Sequence, residues 1–395
     1  MKSAVGAGVA GKAGVWHSIW TSPAIIAGAL MIAWAAESAQ FFISQGLSLA
    51  ILAWVQTLPE FAVEAVIAWE APHRVNGMHL VSANFTGAVR LLIGLGWPMI
   101  YAVAAYFHRR KYGRPLKVIV LEREHSVEVM SLVLPVLYFI VVIWKGTLSL
   151  YDTAILFVMY ALYMVVLNRI PPKDVEDEDE VEWPIRRIVV MRPVLRNLTI
   201  SLLFLGGAGI LYVAAAPFLH SLLTVAVSLG ISEYVFVQWV APLLSEFPEK
   251  VSAFYWARKV KAAPMALMNM VSSNINQWTM LAGMIPIVFA ISAGHVHAIP
   301  LDYEQRIEIA LTVSQSILGF CLLANMAFAW HEAALLFGLW LAQFVVPGIR
   351  LEVTAVYLLW SMLVALRWAF GRRPPEAAQA FWKLFQERFL EETPG

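Results

Sequence analysis

A proline followed directly by a glutamate occurs twice in this chain, each time inside a long apolar run. The two copies are Pro59-Glu60 in the run 46–69 and Pro248-Glu249 in the run 232–256. Each copy is followed, at nearly the same distance after its glutamate, by an asparagine in a polar cluster, Asn84 or Asn274. Charges that recur at matching places within apolar segments indicate an internal duplication of the kind found in transporters.

The composition places the chain in a membrane. Of its 395 residues 60% are hydrophobic and 14% are charged, whereas soluble globular proteins carry about 25% charged residues. A bilayer-spanning helix needs about 20 apolar residues, and the chain holds about eleven such segments. We therefore predict an all-α, multi-pass membrane protein with about 10–11 transmembrane helices, whose first partner is the lipid bilayer.

The segments divide into two sets of five, followed by one extra C-terminal span. We predict spans at 22–44, 46–70, 80–107, 128–145, 149–168, 197–226, 231–257, 264–292, 306–329, 331–347 and 350–368. An odd number of spans before the linker makes the second set enter from the opposite side, so the two sets are inverted repeats. The predicted divisions are a first repeat at 1–168, a linker with an acidic run at 169–196, a second repeat at 197–347, and the extra span with an amphipathic tail at 348–395.

Lysine and arginine residues predict the orientation. With the N-terminus outside, twenty of them fall in cytoplasmic segments, six fall outside and two lie within spans. The positive-inside rule therefore favours eleven spans with a cytoplasmic C-terminus, and a ten-span chain is the alternative. The tail at 375–392 has an apolar helical side that predicts contact with the cytoplasmic membrane surface. Short loops favour a bacterial inner membrane.

The Pro-Glu copies carry the chemistry of a cation site. Proline cannot donate a hydrogen bond to the residue four positions earlier, so the carbonyl oxygens of Val55 and Leu244 are predicted to be free. In hydrocarbon, a free carbonyl needs a partner, and a dehydrated cation can supply it. Glu60 and Glu249 add negative charge beside these oxygens, and Ca²⁺ prefers carboxylate and carbonyl ligands.

Further polar residues surround this pair in sequence. The side chains of five polar residues either complete the coordination shell or serve as helix caps and interhelical hydrogen bonds, and they are Asn84, Asn274, Ser82, Ser272 and Ser273. Glu64 lies one turn after Glu60 on the same helical face. Arg90 either pairs with a carboxylate of a neighbouring span or extends to the membrane interface.

These residues resemble the two α-repeats of the cation/Ca²⁺ exchanger superfamily, the sodium/calcium exchangers. That family reads approximately Gly-Thr-Ser-x-Pro-Glu and then Gly-Asn-x-x-Gly-Ser-Asn-Ile. The corresponding stretches here are 55–60 and 78–85 in the first repeat, and 244–249 and 268–275 in the second. The resemblance covers spans two and three of each half, and elsewhere only the plan of spans and the central loop match.

The resemblance implies roles for particular positions. Glu60 and Glu249 would be the two carboxylates that Ca²⁺ and the counter-ion occupy in turn. Gln56 and Ser245 stand where the family offers backbone carbonyl oxygens, and Thr57 and Ser273 keep hydroxyl groups. This chain departs from the family at Glu246 and Ala83, which replace serines, and at Gly87 and Gln277, which replace sodium ligands.

Lys250 beside the second motif leaves two alternatives. It either pairs with Glu246 four residues earlier, the favourable order for a helical ion pair, or takes the place of a bound cation. In the second case H⁺ replaces Na⁺ as the natural coupling ion. Glu64, Glu246 and His79 then supply groups for protonation or charge compensation.

Two functions follow as hypotheses. The first is a secondary active antiporter that exchanges Ca²⁺ or a related cation against Na⁺ or H⁺ by alternating access. The second is a non-transporting relative that acts as a structural or sensing protein, with Lys250 in place of the cation. No cofactor beyond the transported ions is expected. The chain has no motif typical of an enzyme or of a nucleic-acid-binding protein, and its oligomeric state is left open.

Overall fold

The computed structural model describes residues 2–39, 41–42, 57–169, 183–371 and 375–390, with the backbone alone at 2–18, 248, 347 and 390. The described chain is almost entirely helical, which confirms the predicted class. Its α-helices are α1 Lys2–Ala39, α2 Leu58–Glu70, α3 Gly77–Leu91, α4 Trp97–Tyr112, α5 Ser126–Lys145, α6 Leu150–Arg169, α7 Trp183–Val189, α8 Pro193–Ser228, α9 Glu233–Ser245, α10 Phe247–Arg258, α11 Ala263–Asn276, α12 Ala282–Ala293, α13 Tyr303–Leu323, α14 Trp330–Val345, α15 Arg350–Gly371 and α16 Glu376–Phe385.

Shorter elements join these helices. Single π-helical turns connect α3 to α4 and α11 to α12 and follow α16, and they are Leu92–Gly96, Gln277–Leu281 and Gln386–Leu390. Short 3₁₀-helices occur at Ala71–His73, Arg123–His125 and Pro347–Ile349. The strands are β1 Val118–Val120, β2 Thr147–Leu148, β3 Ile299–Pro300 and β4 Ala327–Ala329.

Each of the eleven predicted spans coincides with helix where the chain is described. Within the described residues, eight helical stretches are long and apolar enough to cross a bilayer. The other three predicted spans correspond to α2, to α9 with α10, and to α14. The predicted span 306–329 was wrong at its end, because α13 stops at Leu323 and the chain then forms β4. The residues between α1 and α2, predicted to form a tight hairpin, lie outside the described residues apart from 41–42.

The helices group into two compact units that combine segments of both repeats. Unit 1 comprises Met1–Ala88, Glu176–Glu249 and Met284–His297, and unit 2 comprises Val89–Val175, Lys250–Gly283 and Ala298–Gly395. The predicted division into sequential repeats describes the duplication rather than these packing units. It stays a prediction.

In unit 1, the long helices α1 and α8 pack along each other. Thr21 meets Ser221 through their hydroxyl groups at 3.1 Å, and Gly28 meets Gly207 further along, so the two helices run antiparallel. A Cβ atom placed on Gly207 would lie 2.7 Å from the carbonyl oxygen of Gly28. Small residues are what allow membrane helices to approach so closely.

Unit 2 contains two antiparallel two-stranded sheets that display the duplication. β1 pairs with β4, and β2 pairs with β3. β3 follows β1 in sequence by nearly the same number of residues as β4 follows β2. By this spacing β1 is equivalent to β3, and β2 is equivalent to β4. Each sheet therefore joins one strand of the first repeat to the non-equivalent strand of the second, as expected of intertwined repeats.

The same spacing relates two buried carboxylates that cap helices in unit 2. Asp152 at the start of α6 accepts a hydrogen bond from the amide of Ser149 at 2.7 Å, and Lys145 also pairs with it. Glu332 follows Asp152 by the same number of residues as β4 follows β2, so the two carboxylates are repeat-related. Glu332 accepts a hydrogen bond from the amide of Ala329 at 2.6 Å, at the start of α14. Since each satisfies an otherwise unpaired amide at a helix N-terminus, their role is structural.

Arg90 lies at the centre of a buried polar network in unit 2. Its guanidinium donates to Glu308 at 2.7 Å and to Gln343 at 3.0 Å, and Arg350 contacts the other oxygen of Glu308 at 2.7 Å. The prediction that Arg90 pairs with a carboxylate of a neighbouring span is confirmed. The network ties the end of α3 to α13, α14 and α15, and α15 is the extra C-terminal span.

The C-terminal helix α16 forms where the amphipathic tail was predicted. It packs on α5, with Ala377 and Leu384 buried. Arg123 donates to Glu387 at 3.0 Å, and Arg169 lies over the ring of Phe389 at 5.0 Å. Part of the apolar side therefore covers unit 2, and contact with the membrane surface stays a prediction.

We predict that Gly207→Ala weakens the α1–α8 contact. The added methyl group has no space, and overpacking lowers the free energy of unfolding by about 1–3 kcal/mol. Gly209→Ala is the matched control, because nothing lies within 4 Å of its Cβ position and alanine favours helix. Thermal unfolding of the purified protein in detergent measures both, and equal stability of the two variants would contradict the close contact.

We predict that Glu308→Ala destabilises the protein by about 3–5 kcal/mol, because it leaves a buried guanidinium without its carboxylate. The control is Glu304→Ala one turn earlier. Glu304 contacts the same Arg350 at 3.4 Å, but its side chain is 62% exposed, whereas that of Glu308 is 2% exposed. Exposed pairs contribute about 1 kcal/mol or less, so Glu304→Ala should change thermal stability little. A similar loss in both variants would show that burial does not determine the effect.

Candidate functional site

Each Pro-Glu copy begins a new helix rather than interrupting one. α2 starts at Leu58 and α10 starts at Phe247, so the proline is the second residue and the glutamate the third in both. Proline is tolerated there because first-turn amides have no intrahelical partner. The negative charge of Glu60 or Glu249 is favoured by the positive end of the helix dipole.

The second predicted span of the second repeat is therefore a broken helix. α9 ends at Ser245, Glu246 forms the break, and α10 continues from Phe247. The amide of Glu246 donates to the carbonyl oxygen of Pro242 at 2.9 Å, and the free carbonyl at Leu244 stays a prediction. Pro248 lies in the first turn of α10, and the residue that caps the end of α9 is Glu246. Val55 lies outside the described residues.

The glutamates in and beside the two Pro-Glu motifs lie in unit 1 and are buried. Glu60, Glu246 and Glu249 are each 2% exposed, and Glu64 is completely buried. α2, which carries Glu60 and Glu64, packs against α9, which leads into the second copy. Glu60 and Glu249 thus both belong to unit 1, and the helix of the first motif contacts the helix that precedes the second.

Unit 1 contains a fifth buried carboxylate that the motifs did not indicate. Glu37 on α1 is 5% exposed and lies within a predicted span, and this intramembrane position was the signal that could have found it. Across the described residues ten Asp and Glu side chains are buried, five in each unit, and the buried Lys and Arg side chains are those of Arg90 and Lys250. Buried acidic groups therefore outnumber buried lysines and arginines in the described residues.

Asn84 is held by Glu64 across two helices. Its Nδ2 donates to Oε2 of Glu64 at 2.5 Å. Its Oδ1 is buried and has no hydrogen-bond partner among the described residues. Asn84 lies within α3, which starts at Gly77, so it is not a helix cap.

Asn274 in unit 2 shows the same pattern with other partners. Its Nδ2 is directed at the carbonyl oxygen of Val89 at 3.4 Å and at Oε1 of Gln277 at 3.5 Å. Its Oδ1 is also buried without a hydrogen-bond partner in the described part of the chain. In each repeat the amide nitrogen is engaged, and the carbonyl oxygen remains available.

The serines beside these asparagines make structural hydrogen bonds. Ser82 donates to the carbonyl oxygen of His79 at 3.1 Å, and Ser272 and Tyr163 share a hydrogen bond of 2.9 Å between α11 and α6. The interhelical interpretation is therefore confirmed for Ser272. Ser273 is buried next to it, and its predicted ligand role stays a prediction.

The remaining predicted residues are distributed as follows. Thr57 is buried directly before α2, and Ser245 is buried at the end of α9, where its hydroxyl is directed at the carbonyl oxygen of Pro242 at 3.4 Å. His79 is half-buried near the start of α3. Gln56 lies outside the described residues. The assignment of these residues as cation ligands stays a prediction.

Lys250 and Glu246 do not share one continuous helix. Both side chains are buried, but Glu246 forms the break before α10, and Lys250 is the fourth residue of α10. The argument from helical spacing for a pair between them therefore does not apply. Both alternatives for Lys250 stay predictions.

The predicted ligand set contains only two carboxylates, Glu60 and Glu249, with neutral oxygens of amides, hydroxyls and the backbone. No group of three or more His, Cys, Asp or Glu side chains within the described ranges is placed to hold a metal ion. The ligand set stays a prediction. Calcium accepts such mixed oxygen ligands in flexible geometry.

Gly87 explains why one predicted sodium-ligand position carries no side chain. A Cβ atom there would lie 1.9 Å from the carbonyl oxygen of Gln238 on α9. The backbone of α9 therefore occupies the space that a side chain on α3 would need. The packing of α3 against α9 in unit 1 therefore requires glycine at position 87, where the family has a sodium ligand.

Comparisons with known proteins agree with this architecture. Residues 14–168 and 199–347 match the family model described as sodium/calcium exchanger protein. The crystal structure of an H⁺/Ca²⁺ exchanger, CAX, is 32% identical to the chain and has a TM-score of 0.86, covering 96% of this chain and 92% of that one. A structure of the sodium-calcium exchanger NCX_Mj, soaked with 100 mM Na⁺ and 10 mM Sr²⁺, is 16% identical, has a TM-score of 0.56 and covers 84% and 98%, which shows the fold alone. No curated protein matches the chain significantly.

We predict that Gly87→Asn, which restores a polar side chain at the sodium-ligand position, lowers stability instead of creating a ligand. The side chain must displace the backbone of α9, so the loss should reach at least the roughly 1–3 kcal/mol typical of overpacking. Gly338→Ala is the control, since nothing lies within 4 Å of its Cβ position. Thermal unfolding with and without Na⁺ measures the effect. A stable Gly87→Asn variant that Na⁺ stabilises further would contradict this account.

Proposed function

The chain belongs to the sodium/calcium exchanger protein family, and we propose that it is a secondary active antiporter that exchanges Ca²⁺ for H⁺. The family consists of transporters and not of enzymes, which agrees with the lack of enzyme motifs in the sequence. The proposal specifies two things beyond family membership, namely the counter-ion and the residues that hold the ions.

The two buried glutamates of the Pro-Glu motifs are the observation that carries the proposal. Glu60 and Glu249 are each 2% exposed, and each is the third residue of its helix. An ionised carboxylate in a low-dielectric interior is costly unless a charge compensates it. Bound cations or protons are the compensation that a transporter can exchange.

Two further observations favour H⁺ as the counter-ion. Gly87 removes one sodium-ligand position of the family, and the backbone of Gln238 fills its space. Glu64 and Glu246 add buried carboxylates beyond the Glu60 and Glu249 pair, and carboxylates can carry protons. The likeness to an H⁺/Ca²⁺ exchanger over nearly the full length of the chain supports the same choice.

Glu60 and Glu249 hold the ions in this proposal. When both are ionised, their two negative charges neutralise one Ca²⁺, with neutral oxygens completing the shell. When Ca²⁺ leaves, each carboxylate takes up a proton, which avoids leaving an uncompensated charge in the membrane. Because one site is occupied by Ca²⁺ or by protons in turn, the inward flow of one ion is coupled to the outward flow of the other.

Access to the site alternates by movement of a helix pair. The family resemblance implies that the first spans of the two repeats slide across the remaining helices. α1 and α8 are these spans, and they pack on each other within unit 1 through Gly28 and Gly207. With the predicted N-terminus outside and C-terminus in the cytoplasm, the protein would extrude Ca²⁺ from the cytoplasm.

We predict that proteoliposomes containing the protein take up radiolabelled Ca²⁺ when their interior is acidic, because outward H⁺ flow drives Ca²⁺ inward. Glu60→Gln and Glu249→Gln should each lower this uptake at least tenfold. Glu352→Gln, which changes an exposed glutamate of α15, is the matched control and should transport at the parental rate. Initial rates at several Ca²⁺ concentrations give the comparison.

The same vesicles distinguish the alternatives. Uptake that requires an outward Na⁺ gradient, and not a pH gradient, would replace H⁺ by Na⁺ as the counter-ion. Normal uptake by Glu60→Gln would overturn the assignment of the site. Absence of uptake with either gradient would favour the non-transporting relative.

A further inference from the structure

The two repeats differ one helical turn after their Pro-Glu motifs. The first repeat has Glu64 four residues after Glu60, and the second has Ala253 four residues after Glu249. Both side chains are completely buried. A buried carboxylate therefore exists in one repeat at a position where the other has a methyl group.

Glu64 makes one hydrogen bond, and that bond is to Asn84. Oε2 of Glu64 accepts from Nδ2 of Asn84 at 2.5 Å, while Oε1 of Glu64 is buried and has no hydrogen-bond partner among the described residues. Within the same residues no lysine, arginine or histidine forms an ion pair with Glu64. The hydrogen bond to Asn84 is thus the structural contact of the Glu64 carboxylate within the described residues.

This bond determines which way the Asn84 amide faces. The oxygen and nitrogen of an amide have nearly the same shape, so hydrogen bonding decides between the two orientations. When Glu64 is ionised its carboxylate can only accept, and Nδ2 is the amide's donor, here 2.5 Å from Oε2. Oδ1 must therefore face away from Glu64, and it is buried there without a donor in the described structure.

The hydrogen bond to Glu64 holds Asn84 against the motif helix α2. Glu60 and Glu64 are one turn apart on α2, and residues at this spacing share a helical face. Asn84, which is bonded to Glu64, is therefore held against the face that carries Glu60. A buried carbonyl oxygen without a donor is costly, and a dehydrated cation is a suitable partner for it.

We propose that Glu64 is a positioning residue, which orients Asn84 so that its Oδ1 is a ligand of the transported cation. The inference rests on the proposed function for the identity of that cation, Ca²⁺. It gives Glu64 a task that is separate from the binding of ions by Glu60 and Glu249. It also makes the first repeat dependent on a side chain that the second repeat does not have.

The second repeat orients its asparagine differently. Nδ2 of Asn274 is directed at a backbone oxygen of Val89 and at the side chain of Gln277, at 3.4 and 3.5 Å. These contacts are longer than the contact of 2.5 Å to Glu64. Asn84 should consequently be coupled to Glu64 in its effect on Ca²⁺ affinity, whereas Asn274 should be independent of it.

Two variants of Glu64 distinguish its effect on the orientation of the Asn84 amide from the effect of its charge. Glu64→Gln retains an oxygen that accepts from Asn84 and has nearly the same size. Glu64→Leu retains bulk and burial but removes the acceptor. Ca²⁺ binding by calorimetry and the KM for Ca²⁺ in transport are measured for each, with thermal unfolding to establish that the variants are folded.

We expect Glu64→Leu to weaken Ca²⁺ affinity about 10–100-fold, the usual effect of removing a group that orients a metal ligand. Glu64→Gln should remain within about threefold of the parent. In a double-mutant cycle, Glu64→Leu should add little to the loss caused by Asn84→Ala, and should add its full effect to that of Asn274→Ala.

Several outcomes would overturn the inference. Unchanged Ca²⁺ affinity in Glu64→Leu would remove the positioning role. Equal losses in Glu64→Gln and Glu64→Leu would assign the effect to charge rather than to orientation, and so would additivity with Asn84→Ala. If Glu64→Leu does not fold, Glu64→Met, which also retains bulk and lacks an oxygen acceptor, takes its place in the cycle with Asn84→Ala. A parent protein that binds no Ca²⁺ would overturn the proposed function itself, which separates the two failures.

Discussion

The burial of carboxylates inside membrane helices is the constraint on which the rest of this structure depends. Ten acidic side chains are buried in the described chain, against Arg90 and Lys250 among the strongly basic ones. Negative charge in a low-dielectric interior must be compensated by hydrogen bonds, by a basic partner or by a bound ion. The ways in which individual residues meet this requirement separate the scaffold from the candidate site.

The scaffold compensates its acidic groups internally. Asp152 and Glu332 accept backbone amides at helix starts, and Glu308 pairs with Arg90 and Arg350. All of them lie in unit 2, where repeat-related strands also pair crosswise. These contacts are permanent features of the fold, because losing any partner would leave a buried group unsatisfied.

Unit 1 holds the glutamates of the two Pro-Glu motifs. Glu60 and Glu249 lie in the first turns of two helices, where the helix dipole favours their ionised form. Asn84 leaves a buried carbonyl oxygen without a donor in the described structure, which is costly in an apolar interior and useful to a protein that binds and releases cations. The duplication supplies the same helix start twice, whereas Glu64 and Gly87 belong to the first copy alone. An exchanger built from inverted repeats can therefore carry unequal halves.

The sequence by itself determined the class of fold, the approximate position of the helical spans, the duplication of the Pro-Glu motif and the family. These follow from hydropathy and from charges repeated inside apolar runs, which are local properties that a bilayer imposes on any chain. It also indicated Glu60, Glu249 and a carboxylate partner for Arg90, because intramembrane charge is rare enough to mark its own positions. Only the tertiary structure decided which asparagine oxygens remain available, that α9 fills the space beside Gly87, and that Glu37 joins the buried acids. These features depend on contacts between helices far apart in the chain, and no local pattern specifies which atoms such contacts engage.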